Sequence, residues 1–199
     1  MNPRGEYDLF AVAADVARRL EETGVRYVIS GSIASSMHGE PRSTLDIDLV
    51  ADLQESQVPL FVAALLPTYY VDADAALEAV RSVGSFNAVH IASSIKVDFF
   101  VAGTDAFEQR RLLTALEVPA PPPVRHVLRI DTAEHVLLRK LEWYRRGGEV
   151  SERQWRDVIA IAAVHGTRLD LGELQRWAPA LGVEDLLSRC LRDAGIPTP

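Results

Sequence analysis

The chain has 199 residues, of which 48% are hydrophobic, 25% are charged and 7% are aromatic, and its formal net charge is −7 at pH 7. This length is sufficient to bury a substantial core, and the composition excludes a disordered chain, a collagen, a coiled coil and a disulfide scaffold. The negative charge disfavours a large nucleic-acid interface, because such interfaces neutralise phosphates with Lys and Arg.

The apolar runs of the sequence are short. None reaches the roughly 18 to 20 residues that a transmembrane helix needs, and the first residues lack the apolar core of a secretory signal. We therefore expect no membrane partner and a cytoplasmic location. The single cysteine, Cys190, can by itself form neither an internal disulfide nor a structural zinc site, and we expect it in the core.

The first segment predicts a helix, a strand and a second helix around a glycine turn. Apolar residues at helical spacing between Leu9 and Leu20 predict an amphipathic helix. Residues 25–30 have the β-branched and aromatic composition of a strand. Gly31-Ser32 then predicts a turn that opens a short helix over residues 33–38.

Two aspartates follow in a second predicted strand. Residues 45–51 alternate polar and apolar side chains, as a half-buried strand does. Because side chains along a strand alternate between faces, Asp46 and Asp48 share one face. In a later strand, Lys96 and Asp98 also share a face. We interpret Lys96 either as a solvated strand residue or as a charge that screens the acids.

The other predicted elements indicate a mixed α/β region followed by a helical one. Helical spacing covers residues 58–66, 73–83 and 105–114, and residues 86–92 and 96–102 read as a hairpin through Ser93-Ser94. The proline tract 119–123 is stiff and marks a boundary. We therefore predict a domain over residues 1–123 and a helical C-terminal region over 124–199. The latter begins with a strand over 124–130 and continues with helices over 132–146, 151–165, 171–181 and 183–194.

The aspartates are candidate ligands for a divalent cation. Mg²⁺ prefers hard oxygen ligands and binds beside substrate phosphates. Two-metal transfer at phosphorus uses ions about 3.5–4 Å apart, and so needs a third carboxylate beside the first two. Asp98 is the candidate for that position beside Asp46 and Asp48. The expected cofactor is therefore Mg²⁺, with Mn²⁺ as the alternative.

The glycine turn is a candidate phosphate site. A turn that opens a helix offers backbone N–H groups and the positive end of the helix dipole. Gly31 permits close backbone approach, Ser32 adds a hydroxyl donor, and Arg42 can pair with phosphate oxygens in a bidentate fashion. His38, between the turn and the acids, is a further candidate, although scattered histidines are more often structural.

These residues resemble a known superfamily. Gly31-Ser32, thirteen further residues, Asp46-Ile-Asp48 and a later Asp98 in Lys-Val-Asp-Phe-Phe are similar to the DNA polymerase β-type nucleotidyltransferases. Within them, the string from His38-Gly39 through Arg42 and Thr44 to Asp48-Leu49 resembles the AbiEii-like branch of bacterial toxin–antitoxin and phage-defence systems. The resemblance implies a mixed, mainly antiparallel sheet flanked by helices, and a helical C-terminal region.

The resemblance also implies roles for individual residues. Asp46 and Asp48 would ligate metal, and Asp98 would be the third ligand or the general base. In the helical region, Lys140 and the pair Arg156-Asp157 resemble a family pattern, which implies that Lys140 neutralises the triphosphate and that Asp157 orients a basic side chain.

Two functions from different classes stay open. The first is transfer of a nucleoside monophosphate from a nucleoside triphosphate such as ATP to an acceptor hydroxyl on a tRNA, a protein or a small molecule, with the protein acting as a toxin. The second is a catalytically weak binding module that associates with an antitoxin protein. Transfer of a γ-phosphate is disfavoured, because the sequence has neither a Walker pattern nor a kinase signature.

Overall fold

The computed structural model describes residues 9–38 and 46–197, which divide into two compact units. Residues 9–32 and 46–130 belong to the first unit, and residues 33–38 and 131–197 belong to the second. In the described part of the chain, no helix is long and apolar enough to cross a bilayer.

The first unit contains a mixed sheet with helices. Its helices are α1 (Leu9–Glu22), α3 (Val58–Leu65), α4 (Ala73–Ser82) and α5 (Ala106–Thr114), and α2 (Gly31–His38) begins in this unit. Its strands are β1 (Tyr27–Ile29), β2 (Asp46–Ala51), β3 (Tyr69–Val71), β4 (Ser85–His90), β5 (Lys96–Val101), β6 (Leu116–Pro119) and β7 (Val127–Ile130). These elements include every strand that the sequence predicts.

Within the described residues, seven strands lie in the order β3-β4-β5-β2-β1-β7-β6. The pairs β2–β5 and β1–β7 are parallel, and the other four pairs are antiparallel. The prediction of a mixed, mainly antiparallel sheet with helices is therefore confirmed. The hairpin predicted through Ser93-Ser94 is confirmed as the antiparallel pair β4–β5.

The strands β2 and β5 have one apolar face and one face that carries the charged side chains at its start and Val50 and Phe100 further along. Ile47 and Leu49 on β2, like Val97 and Phe99 on β5, are fully buried. Phe99 packs edge-on against Phe61 of α3, with ring centroids 5.4 Å apart. Burial of these side chains fixes which face of each strand points inward, because a one-residue slip would expose all of them. The aspartates are thereby placed on the other face.

The second unit is helical after residue 131. It contains α6 (Ala133–Arg146), α7 (Glu152–His165), α8 (Leu171–Trp177) and α9 (Glu184–Asp193). Thr132, Ser151 and Asp170 cap the first three of these helices by accepting backbone N–H groups with their side chains. The helical C-terminal region expected from the sequence is confirmed, and Cys190 is fully buried there as expected.

Two strands do not appear in the sequence prediction. Strand β3 has three residues, and β6 is an edge strand without a buried side chain. Strand β3 shows no polar–apolar alternation, and in β6 the alternation covers only Leu116, Glu117 and Val118, which is too short to identify a strand in sequence. The proline tract connects β6 to β7, so that Pro119 ends the edge strand, where a missing N–H is tolerated.

Candidate active site

Asp48 and Asp98 occupy equivalent positions on neighbouring strands. Strands β2 and β5 are parallel, with Asp48 the Cα partner of Asp98 and Asp46 the partner of Lys96. Partners in adjacent strands direct their side chains to the same face of a sheet. The structure therefore brings the three predicted carboxylates, with Lys96, to one face. Asp46 is exposed, whereas Asp48 and Asp98 are partly buried.

The glycine turn lies directly against Asp48. Gly31 has a φ of +55°, and a Cβ built on it would lie 2.7 Å from the Cβ of Asp48 and closer still to its carboxylate. The Ser32 N–H donates to Asp48 Oδ2 at 3.3 Å, and the Ser30 N–H donates to the Asp48 carbonyl at 2.9 Å. Only a glycine combines this backbone conformation with this close approach. The N-terminus of α2 therefore faces the carboxylate cluster.

A buried ion pair supports the turn, and sequence reasoning missed it. Arg111 on α5 donates to both carboxylate oxygens of Glu108 at 3.0 Å, and the two side chains are 3% and 7% exposed. Arg111 also donates to Ser30 Oγ at 3.0 Å. In the sequence, Glu108 and Arg111 read as an ordinary helical charge pair, and nothing in the pattern indicates Ser30 as a partner. The ion pair fixes the residue that precedes the turn.

Lys96 is part of the polar face. Its Nζ lies 2.7 Å from Asp98 Oδ1 and 2.9 Å from Oδ2, although 45% of its side chain is exposed. The hydrogen bond to Asp98 raises the pKa of Lys96, and the charges of Asp98, Asp46 and Asp48 raise it further. Of the two interpretations that the sequence allows, the structure supports the one in which Lys96 screens the acids.

The carboxylates suit a divalent cation, because they are oxygen donors and because they lie on one face of the sheet. Their oxygens are the hard donors that Mg²⁺ prefers. With the side chains as they stand, however, no group of three His, Cys, Asp or Glu within residues 9–38 and 46–197 is arranged to hold a metal ion. The Lys96 ammonium instead contacts Asp98. Ligation by all three acids would therefore require side-chain rearrangement.

The remaining candidates lie outside this cluster or outside the described residues. In the second unit, Lys140 on α6 donates to Asp157 on α7 at 3.0 Å. His38 is buried, its Nε2 lies 2.6 Å from the Asp131 carbonyl oxygen, and its ring lies 5.2 Å from that of His165. Arg42, the predicted phosphate ligand, lies outside the described residues. The roles assigned to all these residues stay predictions.

Comparison with solved structures gives matches over nearly the whole chain. An antigenic nucleotidyltransferase-like protein from Paracoccidioides brasiliensis is 18% identical, with a TM-score of 0.54 and 92% of each chain covered. The antibiotic-resistance factor ANT(2'')-Ia in solution is 14% identical, with a TM-score of 0.53, 90% of this chain and 96% of that chain. Its complex with adenylyl-2''-tobramycin is 13% identical, with a TM-score of 0.50, 86% of this chain and 95% of that chain.

Comparison by sequence gives no match. No protein-family model matches the chain, and no curated protein matches it. Likeness at identities below 20% establishes a shared fold, whereas activity depends on the residues of the site. The chain therefore has the fold of the nucleotidyltransferases to which it is similar.

Proposed function

We propose that this protein is a metal-dependent nucleotidyltransferase, which transfers a nucleoside monophosphate from a nucleoside triphosphate to an acceptor hydroxyl and releases pyrophosphate. The observation that carries the proposal is the position of Asp48. This residue is the cross-strand partner of Asp98 and is contacted by the glycine turn. The likeness in fold to ANT(2'')-Ia, which was solved with adenylyl-2''-tobramycin, supports the same reaction class.

The glycine turn is the proposed binding site for the triphosphate. Helix α2 has eight residues, and its first turn carries backbone N–H groups, of which that of Ser32 donates to Asp48 Oδ2, together with the positive end of the helix dipole. Gly31 leaves no side chain between these groups and the carboxylate face. Arg42 and Lys140 are the proposed cationic contacts, because a triphosphate carries several negative charges. The hydrogen bond from Lys140 to Asp157 would then hold the ammonium in place.

Asp46, Asp48 and Asp98 are the proposed ligands of Mg²⁺, and the same oxygens suit Mn²⁺. When bound, the divalent cation neutralises phosphate charge and polarises the reacting oxygens. In the proposed reaction the acceptor oxygen bonds to the α-phosphorus while the bond to pyrophosphate breaks. The acceptor proton passes to the Asp98 carboxylate, which lies at the same register position as Asp48.

The motif from His38 to Leu49 supports a finer assignment to the AbiEii-like branch, with toxin activity and an antitoxin protein as partner. A tRNA end, a protein hydroxyl and a small molecule such as an aminoglycoside are the candidate acceptors. The negative net charge favours a compact acceptor over a long nucleic-acid footprint. We infer that ATP is among the nucleotides used, since the neighbour ANT(2'')-Ia was solved with an adenylyl product.

The test is transfer of label from α-³²P or γ-³²P nucleoside triphosphates to pooled tRNA, to total protein and to an aminoglycoside panel, with Mg²⁺ or Mn²⁺. We expect label from the α position only, and only with metal. Asp48→Ala should abolish the labelling and weaken binding of the Mg²⁺–nucleotide complex. Label from the γ position would indicate a kinase instead. Equal nucleotide binding by Asp48→Ala and the wild type, without any transfer, would support the binding module.

A further inference from the structure

The face of the sheet that carries Asp98 continues across two further strands. In the antiparallel pair β4–β5, Asn87 is the Cα partner of Asp98, and Val89 is the partner of Lys96. Tyr70 on β3 is in turn the partner of Val89. Partners in adjacent strands direct their side chains to the same face of a sheet. The side chains of Tyr70, Asn87 and Val89 therefore form one strip beside Asp98, which we call the β3–β4 strip.

The β3–β4 strip is open, whereas the opposite face of the same strands is covered. The exposed fraction of Tyr70 is 70%, Asn87 is also exposed, and Val89 is partly buried. Tyr69 and Ala88, which precede Tyr70 and Val89 in the chain, point to the other face and are fully buried. Tyr70 thus presents an aromatic ring to the outside, and the core does not use it.

We propose that the β3–β4 strip binds the acceptor of the proposed reaction, and that this acceptor is a compact, uncharged polyol of the sugar class. The inference rests on the proposed function in taking Asp98 as the group that receives the acceptor proton. The Asn87 amide both donates and accepts hydrogen bonds, as a ligand with several hydroxyl groups requires. The Tyr70 ring offers an apolar surface for the C–H groups of the same ligand.

The register sets the distances between these groups. Directly opposed residues have Cβ atoms about 4.5–5.5 Å apart, so one hydroxyl can contact both Asn87 and Asp98. Tyr70 is the diagonal neighbour of Asn87, at about 7–8 Å, a distance that one sugar ring bridges. In the proposed transfer, the oxygen of that hydroxyl bonds to the α-phosphorus, pyrophosphate leaves, and the proton passes to Asp98.

The composition of the two strands favours a small neutral ligand over a nucleic acid. Neither β3 nor β4 contains a Lys or an Arg. A nucleic-acid strand along them would leave its phosphates without cations, and the net charge of −7 opposes it further. The strip also ends at β3, which is an edge strand two positions from β5, about 10 Å away. This length suits a single sugar unit.

Binding is tested without transfer. Methyl α-glucoside, methyl β-galactoside and myo-inositol are added to the full-length protein and Mg²⁺, with and without α,β-methylene-ATP, and saturation-transfer NMR detects contact with the ligand protons. The wild type should bind at least one of the three. Tyr70→Ala should weaken this binding by about tenfold, the contribution of one aromatic contact, and Tyr70→Phe should restore it. Asn87→Ala should weaken it by about fivefold, the contribution of one hydrogen bond.

Transfer of label from α-³²P ATP to the bound polyol separates the two roles. Tyr70→Ala should raise the KM for the polyol and change kcat less, whereas Asn87→Ala should also lower kcat, because the attacking hydroxyl is no longer oriented at Asp98. The matched controls are Leu60→Ala on α3, where the side chain is 60% exposed, and Glu78→Ala at an exposed position of α4. Both controls should bind and react as the wild type does.

The inference and the proposed function fail in different ways. A wild type that binds none of the three polyols would overturn the inference, as would binding that Tyr70→Ala and Asn87→Ala leave unchanged. Labelling of tRNA or of protein in place of the polyols would overturn it as well, and would support the proposed function. Polyol binding that responds to both variants, without transfer of α label to any acceptor, would refute nucleotidyl transfer and support the strip as a sugar-binding site.

Discussion

Asp48 and Asp98 are Cα partners in the parallel pair β2–β5, and they lie fifty residues apart in the sequence. Neighbouring strands are about 4.8 Å apart, so partner side chains on one face are in close proximity. Two carboxylates held side by side are unfavourable unless cations or hydrogen-bond donors compensate them. The Lys96 ammonium and the Ser32 N–H provide such compensation.

Asp98→Asn is expected to remove the proposed general base and one anionic ligand. Transfer should fall by about 10²–10⁴-fold, the usual contribution of a positioned proton acceptor. Initial rates of label transfer from α-³²P nucleotide would measure the loss. Asp74→Asn, at an exposed position on α4, is the control and should transfer label at the wild-type rate. Unchanged transfer by Asp98→Asn would be inconsistent with the proposed role.

Gly31→Ala should damage the site more than an equivalent glycine replacement elsewhere. Gly24 has a similar φ of +70°, but a Cβ at Gly24 would have nothing within 4 Å, whereas a Cβ at Gly31 would overlap Asp48. Gly24→Ala should lower the free energy of unfolding by about 1–2 kcal/mol through backbone strain alone. Gly31→Ala should lower it further and weaken nucleotide binding, as measured by urea unfolding and by calorimetric titration. Equal effects of the two variants would contradict the close approach.

Arg111→Met should be strongly destabilising, because it removes the cation that contacts both carboxylate oxygens of the buried Glu108. The expected loss is about 3–5 kcal/mol for a pair as buried as this one. Arg81→Met, in an ion pair whose side chains are both 55% exposed, should lose less than about 1 kcal/mol. Urea unfolding gives both values.

The double variant Glu108→Leu/Arg111→Met separates stability from positioning at the same site. Removal of both charges should recover much of the lost stability. The double variant still lacks the donor to Ser30 Oγ. Its KM for nucleotide should therefore stay above that of the wild type, and its kcat should change by a smaller factor than its KM. A double variant with the KM of the wild type would show that the pair is only structural.

Lys140→Met should weaken binding of the triphosphate, because the proposed role of the Lys140 ammonium is to neutralise phosphate charge. We expect the KM for nucleotide to rise by about tenfold, the size of one charge-assisted hydrogen bond, and Lys140→Arg to recover part of the loss. Arg153→Met, on the exposed side of α7, should leave the KM unchanged. If Lys140→Met, Lys140→Arg and Arg153→Met all have the KM of the wild type, the assignment of Lys140 to triphosphate binding is wrong.

His165 should make the second unit less stable in acid. Burial lowers the pKa of His165, and the nearby His38 and Arg168 lower it further. The unfolded chain, whose histidines titrate near about 6.5, therefore binds the proton more readily than the folded chain. The stability that neutral His165 contributes is fully present above that pH, and it is lost as the pH falls toward the pKa of His165 in the folded chain. His165→Gln should reduce the loss of unfolding free energy between pH 7.5 and pH 5.5, as measured by urea denaturation; an unchanged loss would contradict the prediction.

The sequence by itself determined the local elements and the residue types of the site. Alternation along residues 45–51 is enough to place Asp46 and Asp48 on one face, because a strand has a two-residue period. The capping residues Thr132 and Ser151 and the helical spacing behind them are likewise local signals. The strands β3 and β6 are too short for such a signal to identify them, and neighbouring strands supply their hydrogen-bond partners.

Only the tertiary structure decided which residues meet. The register that pairs Asp48 with Asp98, and the contact of Arg111 with Ser30, 81 residues away, depend on how the buried faces of strands and helices pack. The same packing places the Lys96 ammonium beside Asp98. The sequence alone is equally consistent with a solvated Lys96 and with a Lys96 that screens the acids. Backbone periodicity is a property of a short segment, whereas register and buried ion pairs are properties of the assembled core, and no single segment encodes them.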